Sequence, residues 1–213
     1  MEFLEKIDLS DNNLSGPDVD NLLKSLYKKP VKSIAIAKNN IGALGGKAVL
    51  SFLRLSDGGK RGDISNIDLN SCHVGEEHVV KIFEELLVHN SKSLRELKIA
   101  GNDLKGKRIA KEVLEFMKKS VSLECIDLSW NSLGGDGAKV IFGYLKKPAR
   151  CVYSRNFTMF IDRSIYSEAR KLCGAAILRI VVEIIAQTNS LAPPPTCSQR
   201  HQFAKNTFKL ERN

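Results

Sequence analysis

Aromatic residues make up only 7% of this 213-residue sequence, with one tryptophan and four tyrosines. They are not interleaved with the basic residues, which argues against a base-stacking platform for single-stranded nucleic acid. The five cysteines, Cys72, Cys125, Cys151, Cys173 and Cys197, are odd in number and include no CxxC pair. A closed disulfide framework and a zinc ribbon are both disfavoured, and reduced thiols in the cytoplasm fit best. Long apolar runs are absent. The most apolar stretch, Leu172 to Ala186, is 15 residues long and contains Arg179 and Glu183, too short and too charged to span a bilayer. The start, MEFLEKIDLS, carries Glu2 and Glu5 and no apolar leader core, so it is no secretory signal. Without a secretory route the acceptor patterns at Asn13 and Asn156 are chance matches.

Catalytic constellations are missing as well. There is no GxSxG elbow, and His89 and His201 have no sequence partner for nucleophilic catalysis. Gly42-Ala-Leu-Gly45-Gly46-Lys47-Ala48 is one residue short of a phosphate loop, and Ala48 stands where Ser or Thr would hold magnesium. A helix-start turn explains it better. Cys72, His73, Glu76, Glu77 and His78 cluster as zinc ligands might, but no second ligand pair exists. No enzyme, no cofactor and no metal are expected. The formal charge of +9 is uneven: residues 1–147 hold 23 basic against 20 acidic residues, residues 148–213 hold 10 against 4. The Lys-rich stretches Lys24 to Lys32 and Lys105 to Lys111 are mixed with acids and read as solubilising charge rather than a nucleic-acid or membrane footprint.

What the chain does have is an internal repeat. Leu4, Ile7, Leu9, Asn12 and Leu14 return as Val31, Ile34, Ile36, Asn39 and Ile41, then as Ile64, Ile67, Leu69, Cys72 and Val74. They return again as Leu94, Leu97, Ile99, Asn102 and Leu104, and as Leu123, Ile126, Leu128, Asn131 and Leu133. Offsets 0, 3, 5, 8 and 10 hold in every copy, with starts 27, 33, 30 and 29 residues apart. Offsets 3 and 5 alternate as a half-buried strand must. The small polar residue at offset 8 can satisfy the backbone of the turn that ends the strand. After each turn, apolar residues spaced by three and four, such as Val79, Ile82, Phe83 and Leu86, predict an amphipathic helix.

This pattern, LxxLxLxxN/CxL, resembles the ribonuclease-inhibitor-like class of leucine-rich repeat proteins over about residues 3–147. The resemblance implies an α/β solenoid, a horseshoe with a parallel concave sheet and convex helices. It also implies a non-enzymatic module that binds a protein partner on the concave face. The predicted strip comprises the outward residues Lys6, Asp8, Asp11, Lys38, Asp68, Asn70, Glu96, Lys98, Asp127, Ser129 and Trp130. Asp8, Asp68 and Asp127 share one offset, with Ala35 and Lys98 between them. Trp130 either offers its ring to a partner or packs under the C-terminal segment. The repeats LEKIDLSDNNLSGPDVDNLLKSL and LECIDLSWNSLGGDGAKVIFGYL are similar to those of CARMIL-type actin regulators, which would imply a role at the actin cortex. Ran-type GTPase activators, which act on a small GTPase, and the sensor domains of NOD-like receptors are the alternatives.

Beyond residue 147 a different region is expected. A sixth frame starting at Val152 puts Arg155 and Asp162 at repeat positions, a degenerate cap at best. Residues 165–187 predict one long helix, Pro193-Pro194-Pro195 ends it, and Cys197 to Asn213 reads as a disordered end. At the other terminus Met1 leaves no room for a polar cap before Leu4. The chain therefore reads as a piece or altered version of a longer repeat protein. The rival account is a short protein that covers its first sheet edge by dimerisation.

Overall fold

The computed structural model describes residues 4–54, 64–90, 92–145, 158–162, 165 and 181–185. Five strand–turn–helix units follow one another: β1 (Lys6–Asp8) and α1 (Gly16–Ser25), β2 (Ser33–Ala35) and α2 (Gly42–Arg54), β3 (Asn66–Asp68) and α3 (Glu76–His89), β4 (Glu96–Lys98) and α4 (Gly106–Lys119), β5 (Cys125–Asp127) and α5 (Gly134–Leu145). Each strand pairs in parallel with the next, and Ile7, Ile34, Ile67, Leu97 and Ile126 stand in one row across the sheet. These are the residues at offset 3, so the register equals the repeat. Helix follows helix on the opposite side, and one continuous apolar core fills the space between.

The sequence explains these elements locally. Val31, Ile64 and Leu94 at offset 0, with Ile36, Leu69 and Ile99 at offset 5, are buried together with Ile34, Ile67, Leu97 and Ile126 of the row at offset 3. Helix α1 starts with Gly16 and Pro17 in its first turn, and the Ser15 N–H donates to Asp18 Oδ2 at 2.9 Å. The Gly42–Lys47 stretch that resembles a phosphate loop is the first part of α2. Its glycines serve packing: a Cβ on Gly45 would lie 2.3 Å from Ile41 Cβ, and one on Gly46 would lie 2.7 Å from Val74 Cγ1.

The turns are held by side chains that reach back to the preceding repeat. Asn39 accepts the N–H groups of Asn12 (3.0 Å) and Leu14 (2.9 Å) and donates to the carbonyls of Leu9 (2.9 Å) and Ile36 (2.8 Å). Asn131 accepts from Asn102 (3.0 Å) and Leu104 (3.2 Å) and donates to Ile99 (3.0 Å) and Leu128 (3.1 Å). Asn102 accepts from Val74 at 3.1 Å and donates to Leu69 at 2.7 Å. In the third unit Cys72 turns inward, and its thiol donates to the Ile36 carbonyl at 3.2 Å. Burial pushes that thiol up to about 12. These bonds satisfy buried backbone groups that the sharp turns would otherwise strand.

Past α5 the structure differs from the sequence expectation in two places. Strand β6 (Thr158–Asp162) continues the sheet in parallel, with Met159 beside Ile126. The frame placed at Val152 is therefore four residues early: the step from Ile126 to Met159 is 33 residues, not 29. In the shifted frame Met159 and Ile161 take offsets 3 and 5, and both are buried. Within the span of the expected helix over residues 165–187, Val181–Ile185 form a strand, β7, which pairs in parallel with β6, and residues 166–180, 186 and 187 lie outside the described residues. Four of its five residues are β-branched, Val181, Val182, Ile184 and Ile185, which favours a pleated strand over a helix. The expected disordered end, Cys197 to Asn213, lies outside the described residues.

Candidate interaction surface

Two rows of outward side chains cross the sheet. One runs Lys6, Ser33, Asn66, Glu96, Cys125; the other runs Asp8, Ala35, Asp68, Lys98, Asp127. Exposure falls along both from the first strand to the fifth: Lys6 and Asp8 are exposed, the residues on β2 to β4 half-buried, and Cys125 and Asp127 buried.

The aspartates do structural work first. In each, one carboxylate oxygen accepts the backbone N–H two residues on: Asp8 from Ser10 (3.0 Å), Asp68 from Asn70 (3.1 Å) and Asp127 from Ser129 (3.1 Å). This Asx turn closes the strand end. For exposed Asp8 that hydrogen bond is the chief reason the carboxyl sits below the usual carboxylate range. Asp68 moves the other way because burial disfavours its charge, although Lys98 opposes the shift.

In the middle of the sheet the charges satisfy one another. Lys98 Nζ lies 3.4 Å from Asp68 Oδ2 and 3.2 Å from Glu96 Oε1, while Asn66 donates to Glu96 Oε2 at 2.9 Å. Three residues of the expected strip are buried rather than accessible: Asn70, Asp127 and Ser129. Asn70 is a strut, accepting the Ala100 N–H at 2.7 Å and donating to Asp127 Oδ2 at 3.3 Å. Ser129 is turned onto Asp127 Oδ1, its hydroxyl at 2.6 Å. The continuation of the sheet into β6 makes β5 an interior strand rather than the end of the strip.

The accessible part is thus the first strand and the rim where strands end. At offset 7 of all five units, Asp11, Lys38, Ser71, Gly101 and Trp130, the backbone is left-handed, with φ between 55° and 64°. Their N–H groups tie the repeats together: those of Asp11, Lys38, Ser71 and Gly101 donate to the carbonyls of Ala37, Asn70, Ala100 and Ser129. Gly adopts this conformation freely and Asp readily, whereas Lys38, Ser71 and Trp130 hold it at a cost of about 1–2 kcal/mol each. Trp130 holds φ 56° with 48% of its surface exposed. Beside it in the column stands Gly101, which offers no side chain. Sequence reasoning found Trp130 but not its strained backbone, for which Gly101 at the same offset is the signal. It weighed His73 only as a metal ligand and missed its neighbour Asp103; both are exposed left-handed residues at offset 9, and their Nδ1 and Oδ2 are 3.6 Å apart.

The helix face carries the lysine stretches. Lys24 pairs with Asp20 at 2.5 Å and Arg108 pairs with Glu76, while Lys32, just before β2, pairs at 2.5 Å with Glu5, just before β1. Among the described residues no three His, Cys, Asp or Glu side chains are placed to hold a metal, and no helix is long and apolar enough to cross a membrane.

Comparison with known families returns two matches. Residues 3–25 match a model described as Leucine Rich Repeat, and residues 119–142 match a second described as Leucine Rich repeat. No curated protein matches the chain. The first match covers β1 and all of α1, the second β5 and most of α5, so the two ends of the five-unit array carry by sequence the unit that the structure shows throughout. Two segments of the chain thus match leucine-rich repeat models, and the fold is the α/β solenoid of leucine-rich repeats.

Proposed function

We propose that this protein is a non-enzymatic scaffold that grips a protein partner across the first strands and the turn rim, with Trp130 as anchor. The carrying observation is Trp130 itself, a large aromatic held exposed on a left-handed backbone where the preceding repeat has glycine. Strain kept at an exposed site is a reason to look for function there, and tryptophan is enriched among binding hot spots. Lys6, Asp8, Asp11 and Lys38 flank the surface with both signs of charge and give orientation to the encounter. Rigid repeats present these groups in a fixed array, which lowers the entropy lost on binding.

Cytoplasmic proteins are the partners to test first, led by actin-cortex regulators on the similarity of the first and fifth repeats to CARMIL-type proteins. The test is capture from cytosolic lysate by the full chain, with mass spectrometry of what is retained. Wild type is compared with Trp130→Ala, Asp11→Lys and, as a control on the helix face, Val88→Ser. The expected result is a partner lost with the first two variants and kept with the control. A partner retained equally by all four refutes the site, and capture of a small GTPase supports an activator role in place of the actin reading.

A further inference from the structure

Parallel strands joined by helices bring the loops from α1 to β2, α3 to β4 and α4 to β5 to one side of the solenoid, opposite the turn rim. Neighbouring turns are tied there: the Ser65 hydroxyl donates to the Lys32 carbonyl (3.1 Å), Ser93 to Ile64 (3.1 Å) and Ser122 to Lys92 (2.7 Å). In the sequence the lysines of this side stand among acids, but in the structure those acids are already engaged. Glu5 is held by Lys32 (2.5 Å), Glu85 by Arg54 (2.7 Å), Glu115 by Lys118 (2.6 Å) and Glu124 by Arg95. None of the ion pairs among the described residues includes Lys28, Lys29, Lys92 or Lys119; Glu84, one turn before Val88, is outside them too. The lysines thus leave a positive excess. Two apolar side chains stand out among them: Val88, in the last turn of α3, is 72% exposed, and Val121, before β5, is 60% exposed. Lys29, Lys92 and Val121 share one offset, two residues before the first apolar position of their repeats, so they follow one another along the same side.

We propose that this side seats the protein on an anionic lipid bilayer, with Lys28, Lys29, Lys92 and Lys119 on the headgroups and Val88 and Val121 at the boundary of the acyl chains. The negative surface of a leaflet attracts each lysine, and the long lysine stems let the ammonium groups stay with the headgroups while the valines leave water. Charge alone would suit any polyanion. The valines decide between them, because a nucleic-acid backbone would leave both in water whereas a bilayer covers them. Seated this way, the rim that carries Asp11, Lys38 and Trp130 faces away from the bilayer, so a protein partner and the lipid surface are held on opposite sides.

Flotation of the full chain with vesicles tests this, using phosphatidylcholine alone or mixed with phosphatidylserine. Wild type should float only with the serine lipid and should be released as added salt shortens the reach of the charges. Lys92→Gln together with Lys119→Gln should bind about thirtyfold more weakly, about fivefold for each lysine. Val88→Ser together with Val121→Ser should bind several-fold more weakly and keep the salt dependence. Lys107→Gln together with Lys111→Gln removes the same charge near the start of α4, toward the opposite side, and should bind as wild type. All six positions are exposed, and circular dichroism checks that each variant is folded. Wild type that does not float overturns the proposal, and so does a valine pair without effect. Equal losses from both lysine pairs would reduce the binding to net charge, and no loss from either would place it in the basic residues 148–213; each result overturns the assigned side. Retention on a polyglutamate resin without flotation overturns it in favour of an acidic protein. Trp130→Ala should float as wild type, so loss of the partner surface and loss of the lipid surface are read apart.

Discussion

The ladder at offset 8 makes a prediction that can be worked from the structure. Asn102 is completely buried and serves three backbone groups: it donates to the carbonyls of Leu69 (2.7 Å) and Ala100 (3.1 Å) and accepts the Val74 N–H (3.1 Å). Asn102→Ala leaves the Leu69 carbonyl and the Val74 N–H in the interior without this partner, while the Ala100 carbonyl keeps the Ser71 N–H. Each buried polar group deprived of its hydrogen bond costs about 1–3 kcal/mol, so the two together cost about 2–6 kcal/mol. That is a large share of the roughly 5–15 kcal/mol that holds a domain of this size together. Asn12 occupies the same offset in the first unit but is exposed, and its amide donates to the Ser10 carbonyl at 2.9 Å. Asn12→Ala should cost no more than about 0.5 kcal/mol. Asn102→Cys belongs in between, because Cys72 shows that a thiol can supply one donor at this offset. Urea unfolding followed by far-ultraviolet circular dichroism measures all three. At a slope of about 2 kcal/mol per molar, the Asn102→Ala midpoint should fall by about 2 M. Coincident midpoints for Asn102→Ala and Asn12→Ala would refute the reasoning, since the two differ only in what they hold.

Leu128→Asp places a carboxylate where the side chain is completely buried at offset 5; it should cost more than about 4 kcal/mol, and cooperative melting near the wild-type temperature would disprove the register. Gly101→Val forces a β-branched residue onto φ 64° with a Cβ 2.9 Å from Ser71 Oγ, and should lower the urea midpoint by about 1 M. Cys72 should resist alkylation at pH 8 in the native protein and react once urea unfolds it, as peptide mapping by mass spectrometry would show; native labelling at the rate of an exposed thiol would contradict its burial. Its folded pKa of about 12 lies above the ordinary 9.0, so the folded chain holds the proton more tightly. The stability this contributes is intact below pH 9 and is lost as the pH climbs toward about 12, measurable as a falling urea midpoint in wild type but not in Cys72→Ala.

The repeat architecture was legible because its signals are local. Alternation at Ile34 and Ile36, or at Ile67 and Leu69, dictates strand, face and register within a few residues, and parallel stacking then follows from the period. The sixth strand was missed because its spacing depends on how much chain links α5 to β6, a length no periodicity constrains. Met159 and Ile161 were in plain sight, but in a frame four residues away. The outward faces at the site were equally readable. Accessibility was not, because it depends on neighbours in the row: Asp127 and Ser129 bind each other, Asn70 braces Asp127, and Lys98 is held between Asp68 and Glu96. The Ser129–Asp127 and Lys98–Glu96 contacts lie within one repeat, but Asn70–Asp127 and Lys98–Asp68 cross from one repeat to another, and no window of one repeat contains those.

The ladder has a direction, and that direction sets an order of assembly. Asn39, Asn102 and Asn131 each reach backwards, to N–H groups of the unit before their own. A chain emerging from the ribosome therefore carries every newly made turn unfinished until the next ladder residue has been synthesised, and closure trails elongation by one repeat. The same polarity makes the two ends unequal under trimming. Cutting away the first unit leaves the remaining turns fully tied, whereas cutting away the fifth strips Asn102 and Leu104 of their acceptor and unlatches the unit that was left behind.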